Sequence, residues 1–213
     1  MFNKNINTYF FDLDGTLHDI YDIYKNIIQE IIIRDNICKS RLEGKDIKDF
    51  LGETPEVIWK LLVPDIYKSD LNYYIVEVGK KLNKSIKDGN SNLYQGAEKL
   101  LKELKNNKKN IVIISNCTEE YKNSVIKRFN LNSYIDEFYS AEEFDFQPKE
   151  IILEKIIHKY KGEYIFIGDR YHDILAANYN KIDSIFCKYG YGKEIEGKDA
   201  TYIIDNIKET LHL

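Results

Sequence analysis

Phe10-Phe11-Asp12-Leu13-Asp14-Gly15-Thr16-Leu17 is an apolar run closed by two carboxylates two residues apart and a glycine turn. The residues Thr8 to Phe11 form a short, continuous β-favouring run, the kind buried inside a parallel sheet. Asp12 is therefore expected at the carboxyl end of a strand. If strand geometry continues, the side chains of Asp12 and Asp14 alternate in direction, but the turn at Gly15 can swing Asp14 back to the same pocket. One carboxylate could then attack while the other moves protons. An Asp-Gly turn alone explains neither Asp12 nor Thr16. A calcium loop of the EF-hand type needs its glycine at position six, whereas Gly15 comes fourth counting from Asp12.

Two more runs have the same form. Ile111 to Ile114 is followed by Ser115, and Tyr164 to Ile167 by Gly168-Asp169. Helical patterns at Ala97 to Leu104 and Glu150 to Tyr160 lie between them, and weaker strands are expected at Phe138 to Ser140, Ser184 to Cys187 and Tyr202 to Ile204, with a short helix from about Asn206. This alternation predicts an α/β protein with a Rossmann-like open parallel sheet of five or six strands. Ligands bind beyond the carboxyl ends of such strands, so Asp12, Ser115 and Asp169 are candidates for one pocket.

Between His18 and about Asn92 the β pattern gives way to helices at Ile20 to Ile37, Thr54 to Leu62 and Tyr67 to Ile86. The expected division is a core of residues 1–17 and 92–213 with a helical domain inserted at 18–91. Thr54-Pro55-Glu56 has the order a helix start prefers. Tyr67, Leu71, Tyr74, Val78 and Leu82 recur at helical spacing and read as a packing face. The polar stretch Lys87 to Asn92 reads as a return linker and hinge.

Asp169 and Asp173 lie one helical turn apart in Gly168-Asp169-Arg170-Tyr171-His172-Asp173. Four carboxylates meeting in one pocket repel each other unless a cation neutralises them. Oxygen ligands without His or Cys suggest Mg²⁺, with Asp12, Asp14, Asp169 and Asp173 as candidate ligands. Ser115 and Asn116 at a strand end, with Thr16, are candidates to hold an anionic group, and Thr118-Glu119-Glu120 opens the next helix. Lys149, in Gln147-Pro148-Lys149-Glu150, is a candidate point charge for a transferring phosphoryl group.

The 213 residues suffice for one large domain or a core with an insert, and 43% hydrophobic with 31% charged residues is a globular composition. With 31 basic against 35 acidic residues the net charge is −4, which offers no attraction to nucleic acid or to an anionic membrane. No apolar run is long enough to span a bilayer. No secretory signal is recognised at the start, and Cys38, Cys117 and Cys187 show no paired spacing, so reduced thiols and a cytoplasmic location are expected. No internal repeat is found.

The segments around Asp12, Ser115, Lys149 and Asp169 resemble, in this order, the four motifs of the haloacid dehalogenase superfamily of phosphohydrolases. Gly168-Asp169-Arg170-Tyr171-His172-Asp173-Ile174, followed by Tyr189-Gly190-Tyr191-Gly192, is most similar to its phosphoglycolate phosphatase group. The resemblance implies a cap domain at the helical insert, Asp12 as nucleophile forming an aspartyl-phosphate, and Asp14 as general acid and then base. It implies Mg²⁺ held by Asp12, the main-chain carbonyl of Asp14, Asp169 and, through water or at one remove, Asp173, with Ser115 and Lys149 on the phosphoryl oxygens. The chain departs from the family in placing Gln147, not lysine, directly before the proline, and in reading Asn180-Lys181-Ile182 where a glycine is usual. The expected activity is hydrolysis of a small phosphorylated metabolite by a monomer or homodimer. A sugar-phosphate mutase shares every core motif, and a phosphonate hydrolase would need a reactive lysine such as Lys25, Lys45 or Lys60. A non-catalytic phosphoacceptor is disfavoured because its acceptor would end an internal strand in a shorter chain. Arg34, Arg41, Lys45, Glu53 and Trp59 of the insert are candidates to touch substrate, with Gly52 allowing a tight loop.

Overall fold

Continuous apolar runs become the inner strands of one sheet because both faces of that sheet are covered. The computed structural model describes residues 6–37, 46–63 and 68–211. In chain order its first half contains β1 (Ile6–Phe11), β2 (His18–Asp19), α1 (Tyr21–Arg34), α2 (Pro55–Leu62), α3 (Lys68–Lys87), β3 (Asn92–Leu93) and α4 (Ala97–Asn106). The second half contains β4 (Asn110–Ser115), α5 (Glu119–Phe129), β5 (Glu137–Ser140), α6 (Lys149–Ile157), β6 (Glu163–Gly168), α7 (Tyr171–Tyr179), β7 (Asp183–Cys187) and β8 (Tyr202–Ile204). Six strands form one sheet in the order β5-β4-β1-β6-β7-β8, and every pairing is parallel.

Phe10 lies opposite Val112 and Phe166, and Phe11 opposite Ile113 and Ile167. Since neighbours on a strand point to opposite faces, each run feeds two cores. Phe10, Val112, Ile114 and Phe166 pack under Ile152, Leu153 and Ile156 of α6 and Ala176 and Ala177 of α7. Phe11, Ile113, Ile165 and Ile167 pack under Leu100, Leu101 and Leu104 of α4 and Val125 of α5. The two faces need apolar residues at every position, which is why the sequence shows no alternation.

β1 is central, with β4 on one side and β6 on the other. The chain crosses first toward β4 and β5 and then back toward β6, β7 and β8, so the carboxyl end of β1 is a topological switch point. Asp12, Ser115 and Asp169 stand at the ends of these three neighbouring strands.

The helical insertion leaves through β2 and returns through β3. These two-residue strands pair antiparallel, His18 with Leu93 and Asp19 with Asn92. This ribbon, too short to give a periodic signal, was not anticipated from the sequence. α3 packs against α1 and α2 and also against α5 of the sheet layer. Leu71, Val78, Leu82 and Ile86 of α3 are buried, while Tyr74 stacks on Trp59 at 4.6 Å between ring centroids. The helical stripe thus packs within the insertion, with Val78 and Leu82 also lining a cavity; Tyr67 lies outside the described residues. The return stretch is shorter than expected, since α3 runs to Lys87 and the ribbon begins at Asn92. Thr54 is the N-cap of α2 with Pro55 at its first turn, yet its side chain makes no capping hydrogen bond. Among the described residues no helix is long and apolar enough to cross a membrane.

Phe10 is fully buried, stacked on Phe166 at 6.3 Å and edge-on to Tyr160 at 5.6 Å. Phe10→Ala is expected to cost about 3–5 kcal/mol through lost burial and a residual cavity, read as a fall in the urea midpoint with little change in slope.

Candidate active site

The strand ladder places Asp12 and Asp169 on adjacent strand ends, and α7 adds Asp173 in its first turn. One carboxylate oxygen from each of these three buried residues lies within 4.8 Å of the others. Asp173 accepts the Arg170 N–H at 2.9 Å through Oδ2, satisfying an orphan donor at the start of α7. Its Oδ1 accepts from the Lys149 ammonium at 2.6 Å, and the same ammonium donates to Asp12 Oδ1 at 2.8 Å. Lys149 is the first residue of α6, with Pro148 at its N-cap. The lysine that the sequence places two positions late therefore reaches the carboxylates.

Three carboxylates against one ammonium leave two negative charges without a partner. At 4.8 Å two unit charges repel by roughly 3–4 kcal/mol at an effective dielectric of about 20. Burial, reinforced by Asp173 and Asp169, pushes the Asp12 carboxyl well above its ordinary range even with Lys149 beside it. Burial and Asp173 push Asp169 up to about 7. Burial pulls the Lys149 ammonium down, but Asp12 and Asp173 outweigh it and hold it above its ordinary value. An all-oxygen donor set with this excess charge fits a hard divalent cation.

Asp169 is fixed from two sides. The Tyr191 N–H donates to Oδ2 at 2.7 Å and the Thr16 hydroxyl to Oδ1 at 3.1 Å. Thr16 was expected on a phosphate; its hydroxyl is instead turned to Asp169, because the Gly15 turn carries it beneath the β6 end. Gly15 has φ 88°, and a Cβ there would lie 2.3 Å from Asp169 Oδ2. A Cβ on Gly190 would lie 2.3 Å from Asp169 Cβ. Both positions need the absence of a side chain so that the carboxylate can fill the space.

Asp14 takes no part in the carboxylate cluster. Its Oδ1 accepts from the Tyr121 hydroxyl at 2.6 Å and lies 2.8 Å from His18 Nδ1. With a second contact of 3.2 Å between the Tyr121 hydroxyl and Nδ1, a proton on Nδ1 is the arrangement that serves Asp14 best. Burial and then the Asp14 charge push the Tyr121 phenol well above its ordinary value, so it stays a donor. Neither His18 nor Tyr121 was identified from the sequence. Tyr121 meets Asp14 through tertiary packing, whereas His18 meets it through the local turn of residues 13–18, of which only the four-residue spacing was visible.

Asp12, Asp14, Ser115, Asn116 and Tyr121 line a cavity of about 100 Å³ whose remaining wall comes mainly from the insertion, including Trp59 and Glu53. The Asn116 amide donates to the Gly52 carbonyl at 2.9 Å. Arg170 donates to the carbonyls of Leu51 and, at 3.4 Å, Asp49. Glu53 lies 3.0 Å from His172 Nε2 and 3.9 Å from Arg170 Nη2. Burial raises the Glu53 carboxyl, but His172 and Arg170 outweigh it and hold it below its ordinary range. Of the other insert candidates, Arg34 is engaged by Asp35 and Glu77 away from the cavity, and Lys60 by Glu56. Lys25 lies over the Tyr21 ring. Arg41 and Lys45 fall outside the described residues. Cys117 and Cys187 are buried free thiols whose burial raises them, so neither is an activated nucleophile.

The sequence profile of the haloacid dehalogenase-like hydrolases matches residues 9–187, which include the whole carboxylate cluster. The chain belongs to the haloacid dehalogenase-like hydrolase family. Among relatives of this family, it is 23% identical to a phosphoglycolate phosphatase of Vibrio parahaemolyticus over 226 residues, all of this chain and 98% of the relative. It is 20% identical to the pyrophosphatase PpaX of Bacillus velezensis, again over all of this chain and 98% of the relative. The crystal structure of a predicted phosphoglycolate phosphatase from Haemophilus somnus superposes with a TM-score of 0.84 at 18% identity, covering 97% of each chain. The fold found here is that of the haloacid dehalogenase-like hydrolases.

Charge excess in the cluster makes the apoprotein the strained state. A divalent cation is expected to raise the melting temperature, as any ligand of the native state does. In Asp12→Asn, which removes one negative charge but keeps an acceptor for Lys149, the metal-free protein is expected to melt a few degrees higher, the effect of about 1–2 kcal/mol at this chain length. The cation-induced rise is expected to vanish, which a thermal scan with and without chelator checks.

Proposed function

We propose that this phosphatase hydrolyses a small phosphomonoester, the phosphoryl group passing through a covalent intermediate on Asp12. The observation that carries this reading is the separation of the two acids: Asp12 is buried and gripped by Lys149, while Asp14 is held apart by Tyr121 and His18 on the same cavity. The names of the curated relatives, phosphoglycolate phosphatase and pyrophosphatase, support phosphoryl chemistry.

In the first step a carboxylate oxygen of Asp12 attacks phosphorus and the bond to the leaving oxygen breaks, with Asp14 delivering a proton to that oxygen. In the second, Asp14 takes a proton from water as its oxygen attacks the phosphoryl group, releasing inorganic phosphate and restoring the Asp12 carboxylate. Lys149 holds Asp12 in place and offers its charge to the phosphoryl oxygens, with Ser115 and Asn116 at the β4 end as further donors. Asp12, Asp169 and Asp173, with the main-chain carbonyl of Asp14, would hold Mg²⁺. When bound, that cation neutralises the phosphoryl oxygens and the excess carboxylate charge. Residues 18–91 act as a cap over the core of residues 1–17 and 92–213, and the cavity wall that they supply meets the leaving group.

Phosphate release from a panel of small phosphomonoesters tests this. Release is expected with Mg²⁺, to be absent with chelator and to be absent in Asp12→Asn. Isomerisation of a sugar phosphate without release would sink the reading in favour of a mutase.

Asp14→Asn is expected to lower kcat by about 10²–10⁴, the range for loss of a general acid or base. Tyr121→Phe, which removes one hydrogen bond to Asp14, is expected to lower kcat by roughly tenfold, about the 1.4 kcal/mol that one charge-assisted hydrogen bond contributes. KM is expected to change little, and steady-state kinetics on the best ester separates the two parameters.

A further inference from the structure

The cavity is continuous from Asp12 and Asp14 to a wall built by the insertion, so a leaving group that Asp14 protonates must lie against that wall. Ile58, Trp59, Ile75, Val78 and Leu82 make it apolar, and the charged side chain it contributes is Glu53. Among the described residues that line the cavity there is no Lys, Arg or His. Behind this wall, His172 Nε2 lies 3.0 Å and Arg170 Nη2 3.9 Å from Glu53 Oε1. Arg170 is buried and further tied to Glu196 at 3.0 Å and to the carbonyls of Leu51 and Asp49. It cannot turn to a ligand without breaking those bonds. Against the described lining, a carboxylate or second phosphate on the leaving group would therefore meet a like charge and an apolar wall, with no described Lys, Arg or His of the lining to pair with it.

We propose that the substrate's leaving group carries no negative charge, and that it lays an apolar body against Trp59 and the aliphatic wall and ends in a hydroxyl or ammonium donor to Glu53. This rests on the phosphomonoesterase reading and narrows it. Glu53 is then a specificity residue, chosen by charge, and the chain parts company with relatives named for phosphoglycolate, whose leaving group bears a carboxylate.

Three esters of matched length, 2-hydroxyethyl phosphate, O-phosphoethanolamine and 2-phosphoglycolate, differ only at the group that would meet Glu53. With the Mg²⁺-loaded enzyme, kcat/KM for the first two is expected to exceed that for 2-phosphoglycolate by about tenfold or more, because like-charge juxtaposition opposes only the last. The difference is expected mainly in KM. Glu53→Gln, which keeps shape and removes charge, is expected to shrink the ratio of the ammonium to the carboxylate ester by roughly fivefold or more. Benzyl phosphate is expected to outperform 2-hydroxyethyl phosphate in KM if the apolar wall binds as argued. Hydrolysis of all three short esters with 2-phosphoglycolate equal or preferred overturns the proposal and leaves the phosphomonoesterase reading standing. An unchanged ratio in Glu53→Gln overturns the assignment to Glu53. Release from none of the esters overturns that reading and the proposal with it.

Discussion

Holding Asp12, Asp169 and Asp173 together in a buried cluster is the constraint around which the rest of the structure is arranged. Like charges within 4.8 Å cannot be gathered by side-chain preference. They are gathered by the backbone. β1 and β6 are adjacent parallel strands in register, Phe11 beside Ile167, so the residues that follow must emerge side by side. The energy of the two cores, one on each face of the sheet, outweighs the repulsion at its edge. Compensation is then local: one ammonium between Asp12 and Asp173, two donors on Asp169, one backbone N–H on Asp173. What remains uncompensated is negative charge, of the kind that a hard divalent cation could neutralise.

The insertion is anchored to the same loops that make the site. Arg170 directly follows Asp169 and grips the carbonyls of Leu51 and Asp49, while Asn116 directly follows Ser115 and grips the carbonyl of Gly52. Gly52 has φ 92°, and a Cβ there would lie 2.9 Å from Arg170 Cγ, so the segment can approach the arginine only as glycine. The insertion's side of the cavity is thus positioned by residues one step along the chain from the carboxylate cluster and from the β4 end. A displacement of residues 49–53 would carry Glu53 with it and break the contacts of Arg170 to Leu51 and Asp49 and of Asn116 to Gly52, leaving Arg170 on Glu196.

Much of this was legible in the sequence, and for a physical reason. Strands buried on both faces write themselves as continuous apolar runs, and the polar residue that ends such a run marks the sheet edge, so Asp12, Ser115 and Asp169 could be placed together without knowing the pairing. The lysine was legible as a helix-opening residue, although nothing in the spacing told that its ammonium bridges two acids. The hydroxyl of Thr16 was not legible, since its direction depends on how the Gly15 turn lies under the β6 end. His18 and Tyr121 were silent for a similar reason: a buried histidine and a tyrosine on an amphipathic helix read as packing until Asp14 is found between them. The β2–β3 ribbon, two residues on each side, is below the length at which any periodicity can be detected.

The position of Lys149 shows which quantity the chemistry constrains. The resemblance led to a lysine directly before Pro148, and Gln147 stands there instead. Pro148 is the N-cap of α6 and Lys149 its first residue, so the lysine leaves the helix at the end nearest the sheet edge, and its long side chain spans the distance to Asp12 and Asp173. A lysine stem of four methylenes has the reach to absorb a shift of two residues when a helix start sets its direction. What the carboxylates require is one ammonium at one point in space. Gln147, freed from that duty, accepts instead from Lys155 on the outer side of the helix. The chain thus supplies the charge at the point the carboxylates require, although the lysine stands two positions later in the sequence than the resemblance implies.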